Sequence, residues 1–190
     1  LVLHLNVLQE AIQPEGDTDF RGLLDRIAEV AAGLHVPVIV KEIGCGISGP
    51  VARRLQGAGV RLVDVAGLGG TSWARIESRR APDAQLGERF AGWGIPTPDA
   101  IRQVSAIPGI TVIGSGGVRT GIDVAKAIAL GASLAGLAHP FLAPARESAA
   151  AVEVSVRRIV RELRVAMLCS GAGDVDALGR IAIRREVRAS

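Results

Sequence analysis

Hydrophobic positions in this chain fall into short runs separated by longer amphipathic stretches. Leu1, Leu3, Leu5 and Val7 alternate with Val2, His4 and Asn6, a period of two that predicts a strand from Leu1 to Val7. His4 and Asn6 would share one face of it, with Gln9 and Glu10 following at its rim. Four further apolar runs read as strands: Val36 to Ile43, Arg61 to Gly67, Ile110 to Gly114 and Leu134 to Ala138. Between them the period lengthens. Phe20, Leu23, Leu24, Ile27, Val30 and Ala31 form one face of a helix from Asp17 to Gly33, and Gly33 suits its end. Ser48 to Gly57 reads as a shorter helix opened by Ser48 and Pro50. Pro98 to Ile107 and Gly121 to Gly131 repeat the theme, and Ala145 to Leu168 reads as one long helix.

Strands that are nearly all apolar and alternate with helices imply a parallel sheet covered by helices, which makes the fold class α/β. Five βα units form an open sheet; a (β/α)8 barrel needs three more to abolish its edges. We therefore expect a single partial barrel domain over residues 1–190. The chain begins inside a strand with Leu1 rather than Met, which points to a longer parent enzyme. Two segments depart from the rhythm: Gly67 to Ile95, glycine-rich and carrying Trp73 and Trp93, and the tail after Val165. A connection as long as the first is usually functional.

With 190 residues, 48% hydrophobic content and a mean hydropathy of +0.34, the chain can bury a substantial core. No apolar run is long enough to span a membrane and no leader precedes the first strand, so the expected setting is the cytoplasm. Cys45 and Cys169 lack metal-site or redox spacing and fit reduced thiols. A net charge of +3 with 3% aromatic residues gives little support to nucleic-acid binding. The 24 glycines are more informative, because many fall at strand exits.

Ser115, Gly116, Gly117, Val118 and Arg119 follow the fourth strand and precede a helix. Glycines there let backbone N–H groups approach a phosphate, and the helix start adds a favourable dipole. The last strand ends at Ala138 and His139 beside it, and such adjacent exits match the phosphate site after the last two strands of a (β/α)8 barrel. In the second strand, alternation points either Lys41 or the pair Val40 and Glu42 inward. An inward Lys41 beneath a flavin would stabilise negative charge on the reduced ring. Thr71, after Gly69 and Gly70, is placed to hydrogen-bond a ring edge. Asp64 reads as a member of a buried hydrogen-bond network, His35 as a surface or capping residue, and Trp73 and Trp93 as packing for the long loop.

The segments HLNVLQEAIQPEGD (4–17), VIVKEIGCGIS (38–48), GGTSWARIE (69–77), WGIPT (93–97) and SGGVRTGIDVAKAIALGA (115–132) resemble, in order, the flavin-dependent type 2 isopentenyl-diphosphate delta-isomerases. The resemblance implies an FMN-bound TIM barrel that interconverts isopentenyl and dimethylallyl diphosphate. It also implies Mg2+, reduced flavin with NADPH as reductant, and a homo-oligomer, commonly a tetramer or octamer. It assigns Gln9 to substrate contact, Glu10 to Mg2+, His4 and Asn6 to the substrate diphosphate, Lys41 and Thr71 to the flavin, and Gly116, Gly117, Ala138 and His139 to FMN phosphate binding.

The family usually has serine where Ala66 stands, a loss of one neutral hydrogen bond, about 1 kcal/mol net. The isomerisation adds a proton to one alkene carbon and removes one from another. An amide hardly titrates, so the reduced flavin is the expected acid and base, with Gln9 orienting the alkene or relaying a proton. The alternatives are another FMN barrel of the hydroxyacid-oxidase or inosinate-dehydrogenase kind, with His139 or Cys45 as its reactive residue, and an inactive remnant of the isomerase.

Overall fold

The computed structural model describes residues 1–183. The chain runs β1 (Val2–His4), α1 (Val7–Ile12), α2 (Leu23–Gly33), β2 (Ile39–Lys41), α3 (Gly49–Gly57), β3 (Leu62–Asp64), α4 (Trp73–Ser78), α5 (Ala84–Arg89), α6 (Thr97–Ser105), β4 (Thr111–Gly114), α7 (Gly121–Ala129), β5 (Leu134–Ala135), α8 (His139–Glu147), α9 (Ala149–Cys169) and α10 (Val175–Gly179). The five strands form one sheet in the order β1-β2-β3-β4-β5, every neighbouring pair parallel. The expected α/β class and its five strands are therefore present, in sequence order. Among the described residues no helix is long and apolar enough to cross a membrane.

Register explains which side chains meet. Leu3, Val40, Val63 and Val112 are aligned across β1 to β4, and all four pack in the core with Ile27, Leu55, Ala100, Ile101 and Val104 from the covering helices. Val40 and Val63 are fully buried there. The next residue of each strand points to the opposite face and forms a second row: His4, Lys41, Asp64 and Ile113. This row is polar at its first three positions and sits at the carboxyl ends of parallel strands, where open α/β sheets bind ligands. A second apolar cluster joins α7, α9 and α10 through Val124, Ile128, Ile159 and Leu178.

The boundaries correct several expectations. The first strand stops at His4: Leu5 N–H still donates to Lys41 O at 2.7 Å, but the chain then turns at Asn6 into α1. Leu8 and Ile12, one helical turn apart, belong to that helix, and His4 and Asn6 do not share a strand face. The fifth strand ends at Ala135, and His139 opens α8. The segment from Gly67 to Ile95 is not irregular throughout. It holds α4 and α5, each with a side-chain cap: Ser72 Oγ accepts from Arg75 N–H, and Asp83 accepts from Gln85 and Leu86 N–H. The long helix expected from Ala145 to Leu168 is two helices. Ser148 is extended, with φ −170°, and its hydroxyl accepts from Ala151 N–H to start α9. The expected single domain reaches residue 190, and its last seven residues lie outside the described ones.

Candidate functional site

All five strand exits contribute to one cavity of about 780 Å³, a volume typical of cofactor sites. His4 and Gln9 come from the β1 exit, Lys41, Ile43 and Gly44 from β2, and Asp64, Ala66, Gly67, Gly70 and Thr71 from β3. Ser115 to Arg119 come from β4, and Gly136 to His139 from β5. Gln9, Lys41, Thr71 and Gly117, each singled out in the sequence, thus line one cavity. Asn6 and Glu10 stand outside the lining.

Two backbone turns dominate one end. At Gly116 and Gly117 the chain has φ +103° and +75°, a region that disfavours L side chains. A Cβ on Gly117 would lie 2.2 Å from Gly69 O, so the β3 and β4 exits pack backbone on backbone. Thr97 Oγ–H donates to Gly116 O at 2.7 Å and Gly67 N–H to Ser115 O at 2.9 Å, which fixes the turn. Among the described residues nothing accepts the N–H groups of Gly116, Gly117 and Val118, nor those of Leu137, Ala138 and His139 at the next exit. Gly116 to Val118 and Leu137 are buried or half-buried, where a donor without a partner is costly unless a ligand takes it, and Ala138 and His139 are exposed at the rim. Two strand exits that line one cavity with free amides fit a phosphate. Arg119, exposed at the same rim, supplies positive charge.

At the other end Lys41 settles the alternation left open by the sequence. Val40 faces the helices and Lys41 the cavity, its Nζ donating to Glu42 O at 2.6 Å. Glu42 does not share the site's open space. Its buried Oε2 accepts the N–H groups of Ile43 and Gly44, both at 2.6 Å, and of Cys45 and Gly46, shaping the β2 exit. Burial, with the Glu42 charge adding to it, pushes the Cys45 thiol up to about 11.

Gln9 reaches the cavity from α1, and its Nε2 donates to Glu77 Oε1 on α4 at 2.8 Å. Glu77 is buried, and the Gln9 amide and the Arg80 guanidinium, at 2.8 Å, hold its carboxyl below the usual carboxylate range. Glu10 points the other way. Its carboxylate accepts from Asn6 Nδ2 at 2.6 Å, Gln13 Nε2 at 2.7 Å and Asp17 N–H at 3.0 Å, closing the loop after α1. Asn6 also donates to Gln9 Oε1 at 3.3 Å, so it braces the two residues beside it. Among the described residues no three His, Cys, Asp or Glu side chains cluster as a metal cage. A single carboxylate with lone pairs to spare fits Mg2+ only if substrate oxygens and water complete the shell.

Asp64, read from sequence as a network residue, is one: Ser115 Oγ–H and Ala66 N–H both donate to its Oδ1. Ala66 itself has φ +36°, the one left-handed non-glycine among the described residues. Trp73 lines the cavity, whereas Trp93 is 63% exposed and stacks edge-to-face on Phe90 at 5.7 Å.

The model of one protein family matches residues 9–185 and describes an FMN-dependent dehydrogenase. The chain belongs to the FMN-dependent dehydrogenase family. Within it, the chain is 53% identical over 189 residues to an isopentenyl-diphosphate delta-isomerase of Synechococcus sp., covering 97% of this chain and 54% of that protein. It is 51% identical over 187 residues to one of Halobacterium salinarum, covering 95% and 52%. The chain spans about half the length of the curated relatives it matches. Among solved structures, a mandelate oxidase mutant with (S)-mandelic acid superposes with a TM-score of 0.66 at 26% identity, covering 86% of this chain and 44% of that one. The family fold places the five βα units as part of a (β/α)8 barrel, as the alternation of strands and helices predicted.

Proposed function

We propose that the protein carrying this sequence interconverts isopentenyl and dimethylallyl diphosphate with reduced FMN. The observation that carries the reading is the cavity itself. Gly116 to Val118 and Leu137 to His139, whose amides have no partner among the described residues, line it together with Lys41, Thr71 and Gln9. A phosphorylated planar cofactor matches that polarity. The identity to curated isomerases, about twice that to mandelate oxidase, favours isomerisation over hydroxy-acid oxidation. Cys45, a candidate for the oxidase-type reading, is a protonated thiol at neutral pH and does not line the cavity.

When bound, reduced FMN supplies the group that gives a proton to one alkene carbon and takes one from the other, with no net redox change. Lys41 would stabilise negative charge at the ring and Thr71 would hydrogen-bond its edge. Gln9, held by Glu77, presents its amide to the hydrocarbon end of the substrate and cannot be the acid itself. His4 lines the mouth, where it would meet the diphosphate, and Glu10 would be the carboxylate to hold Mg2+, a role that requires it to turn from its bonds to Asn6, Gln13 and Asp17. Gly116, Gly117, Ala138 and His139 would hold the FMN phosphate. The same resemblance extends the reading to NADPH as reductant, a tetrameric or octameric assembly and a cytoplasmic setting.

The test supplies FMN, NADPH, Mg2+ and isopentenyl diphosphate and follows dimethylallyl diphosphate by NMR. Gln9→Ala should depress turnover by about a hundredfold while changing FMN affinity by no more than about threefold. Turnover of 2-hydroxy acids without isomerisation would overturn the assignment.

A further inference from the structure

Asp64 has no role in the reading above, yet it sits in the middle of the cavity wall. Its place on β3 registers it beside Lys41 on β2 and Ile113 on β4, so it lies between the ring end and the phosphate end of the site. Its Oδ1 takes two donors from two different strand exits. The first is the Ala66 N–H at 3.2 Å, at the left-handed turn that leads into Gly67 to Gly70. The second is the Ser115 hydroxyl, the side chain immediately before Gly116 and Gly117. The second oxygen, Oδ2, has no donor among the described residues. It is not sealed away, since no buried side-chain nitrogen or oxygen is left unpartnered among them, so it opens on the cavity that Asp64 lines.

We propose that Asp64 is the positioning residue of the phosphate-binding turn. By gripping the Ser115 hydroxyl and the Ala66 N–H on one oxygen, it ties the β3 and β4 exits together and holds in place the Ser115 backbone from which Gly116 and Gly117 present their amides. The inference rests on the flavin reading and deepens it. Two other anchors act on the same turn: Gly67 N–H donates to Ser115 O and Thr97 Oγ–H to Gly116 O, and because each peptide is planar these bonds orient the Gly116 and Gly117 N–H groups directly. Both act on backbone oxygens beyond the Ser115 Cα. The Asp64 bond ties the Ser115 side chain, and so holds the point from which those two peptides start. The bond needs an acceptor at that point rather than a charge, because a hydroxyl and an amide N–H are both neutral donors. Retaining a carboxylate there also gives Lys41 a negative neighbour in the adjacent strand.

Riboflavin, which is FMN without its phosphate, separates aim from stability. Affinities for FMN and riboflavin are measured by quenching of flavin fluorescence, beside the melting temperature of the flavin-free protein, for wild type, Asp64→Asn, Asp64→Ala and Ser115→Ala. Wild type is expected to prefer FMN. Asp64→Asn keeps an acceptor oxygen and should hold that preference within about threefold, whereas Asp64→Ala and Ser115→Ala should each erode it by about tenfold or more while riboflavin affinity changes less. The proposal falls if Asp64→Ala keeps the wild-type preference, if Asp64→Asn loses it as alanine does, or if both flavins weaken equally in step with a lowered melting temperature. Should Asp64→Ala fail to fold, Ser115→Ala decides alone. If wild type binds neither flavin, it is the flavin reading that fails; if it binds FMN and the variants keep the preference, only the role of Asp64 fails.

Discussion

Replacing Gly117 by alanine tests whether the two glycine turns are stacked as the site requires. Two costs add. At φ +75° an L residue is disfavoured by about 1–2 kcal/mol. The new Cβ would also lie 2.2 Å from Gly69 O, 2.4 Å from Gly69 C and 3.0 Å from Gly70 N, all backbone, so the β3 and β4 exits must separate. Overpacking against rigid neighbours costs about 1–3 kcal/mol, for a total of about 2–5 kcal/mol. Gly171 supplies the control. It has nearly the same φ, +73°, with nothing within 4 Å of its Cβ position, so Gly171→Ala carries the conformational cost alone. Thermal unfolding followed by circular dichroism should place Gly117→Ala below Gly171→Ala by at least about 2–4 °C, the shift expected per kcal/mol in a chain of this size. FMN affinity should fall about tenfold or more in the first variant and stay unchanged in the second. Equal melting temperatures, or unaltered FMN binding in Gly117→Ala, would refute the stacked geometry.

Three further outcomes follow from local chemistry. Because Glu77 has a lowered carboxyl in the fold, the stability it adds is complete above its unfolded value of 4.5 and disappears as pH falls through the lower folded value. Glu77→Gln should therefore melt below wild type at pH 7, and the gap should close on acidification below that value; a gap independent of pH would contradict the ion pair with Arg80. Asp64 is shifted in the opposite sense, raised chiefly by burial, so its ionisation weakens the fold progressively as pH climbs from 3.8 through the raised value. Relative to wild type, Asp64→Asn should gain melting temperature across that window and then level off. Thr120 and Asp123 form a reciprocal capping box at the start of α7, and Thr120→Ala should cost about 0.5–2 kcal/mol in denaturant unfolding without altering FMN affinity.

The parallel α/β plan was readable from sequence because strands buried between layers carry nearly unbroken apolar runs, and each here is followed by a helical period. Where the reading overshot, two periods competed. Val7, Leu8 and Ile12 continue the apolar run of β1 yet also satisfy helical spacing, and the turn at Asn6 decided for α1. The division of the late helix depended on Ser148, whose hydroxyl offered the backbone a cap where uninterrupted helix was expected. Ser72 and Asp83 were visible cap residues for α4 and α5, a signal outweighed by the glycines around them. The glycine exits and Lys41 were identifiable because such sites are local in sequence. The Gln9 to Glu77 and Asp64 to Ser115 pairs were not, since they join residues 68 and 51 positions apart and no local pattern encodes a contact between different strand exits. Glu10 shows the converse: its identity came from resemblance, while the fold turns its carboxylate toward Asn6, Gln13 and Asp17.

The central claim is that strand exits β2 to β5 form one flavin site, phosphate at one end and ring at the other. A crystal structure of the protein with FMN tests it most directly. The account predicts phosphate oxygens hydrogen-bonded to the N–H groups of Gly116, Gly117 and Ala138, with the ring between Lys41 and Thr71. Flavin bound elsewhere, or in this cavity with its phosphate away from those amides, would contradict it.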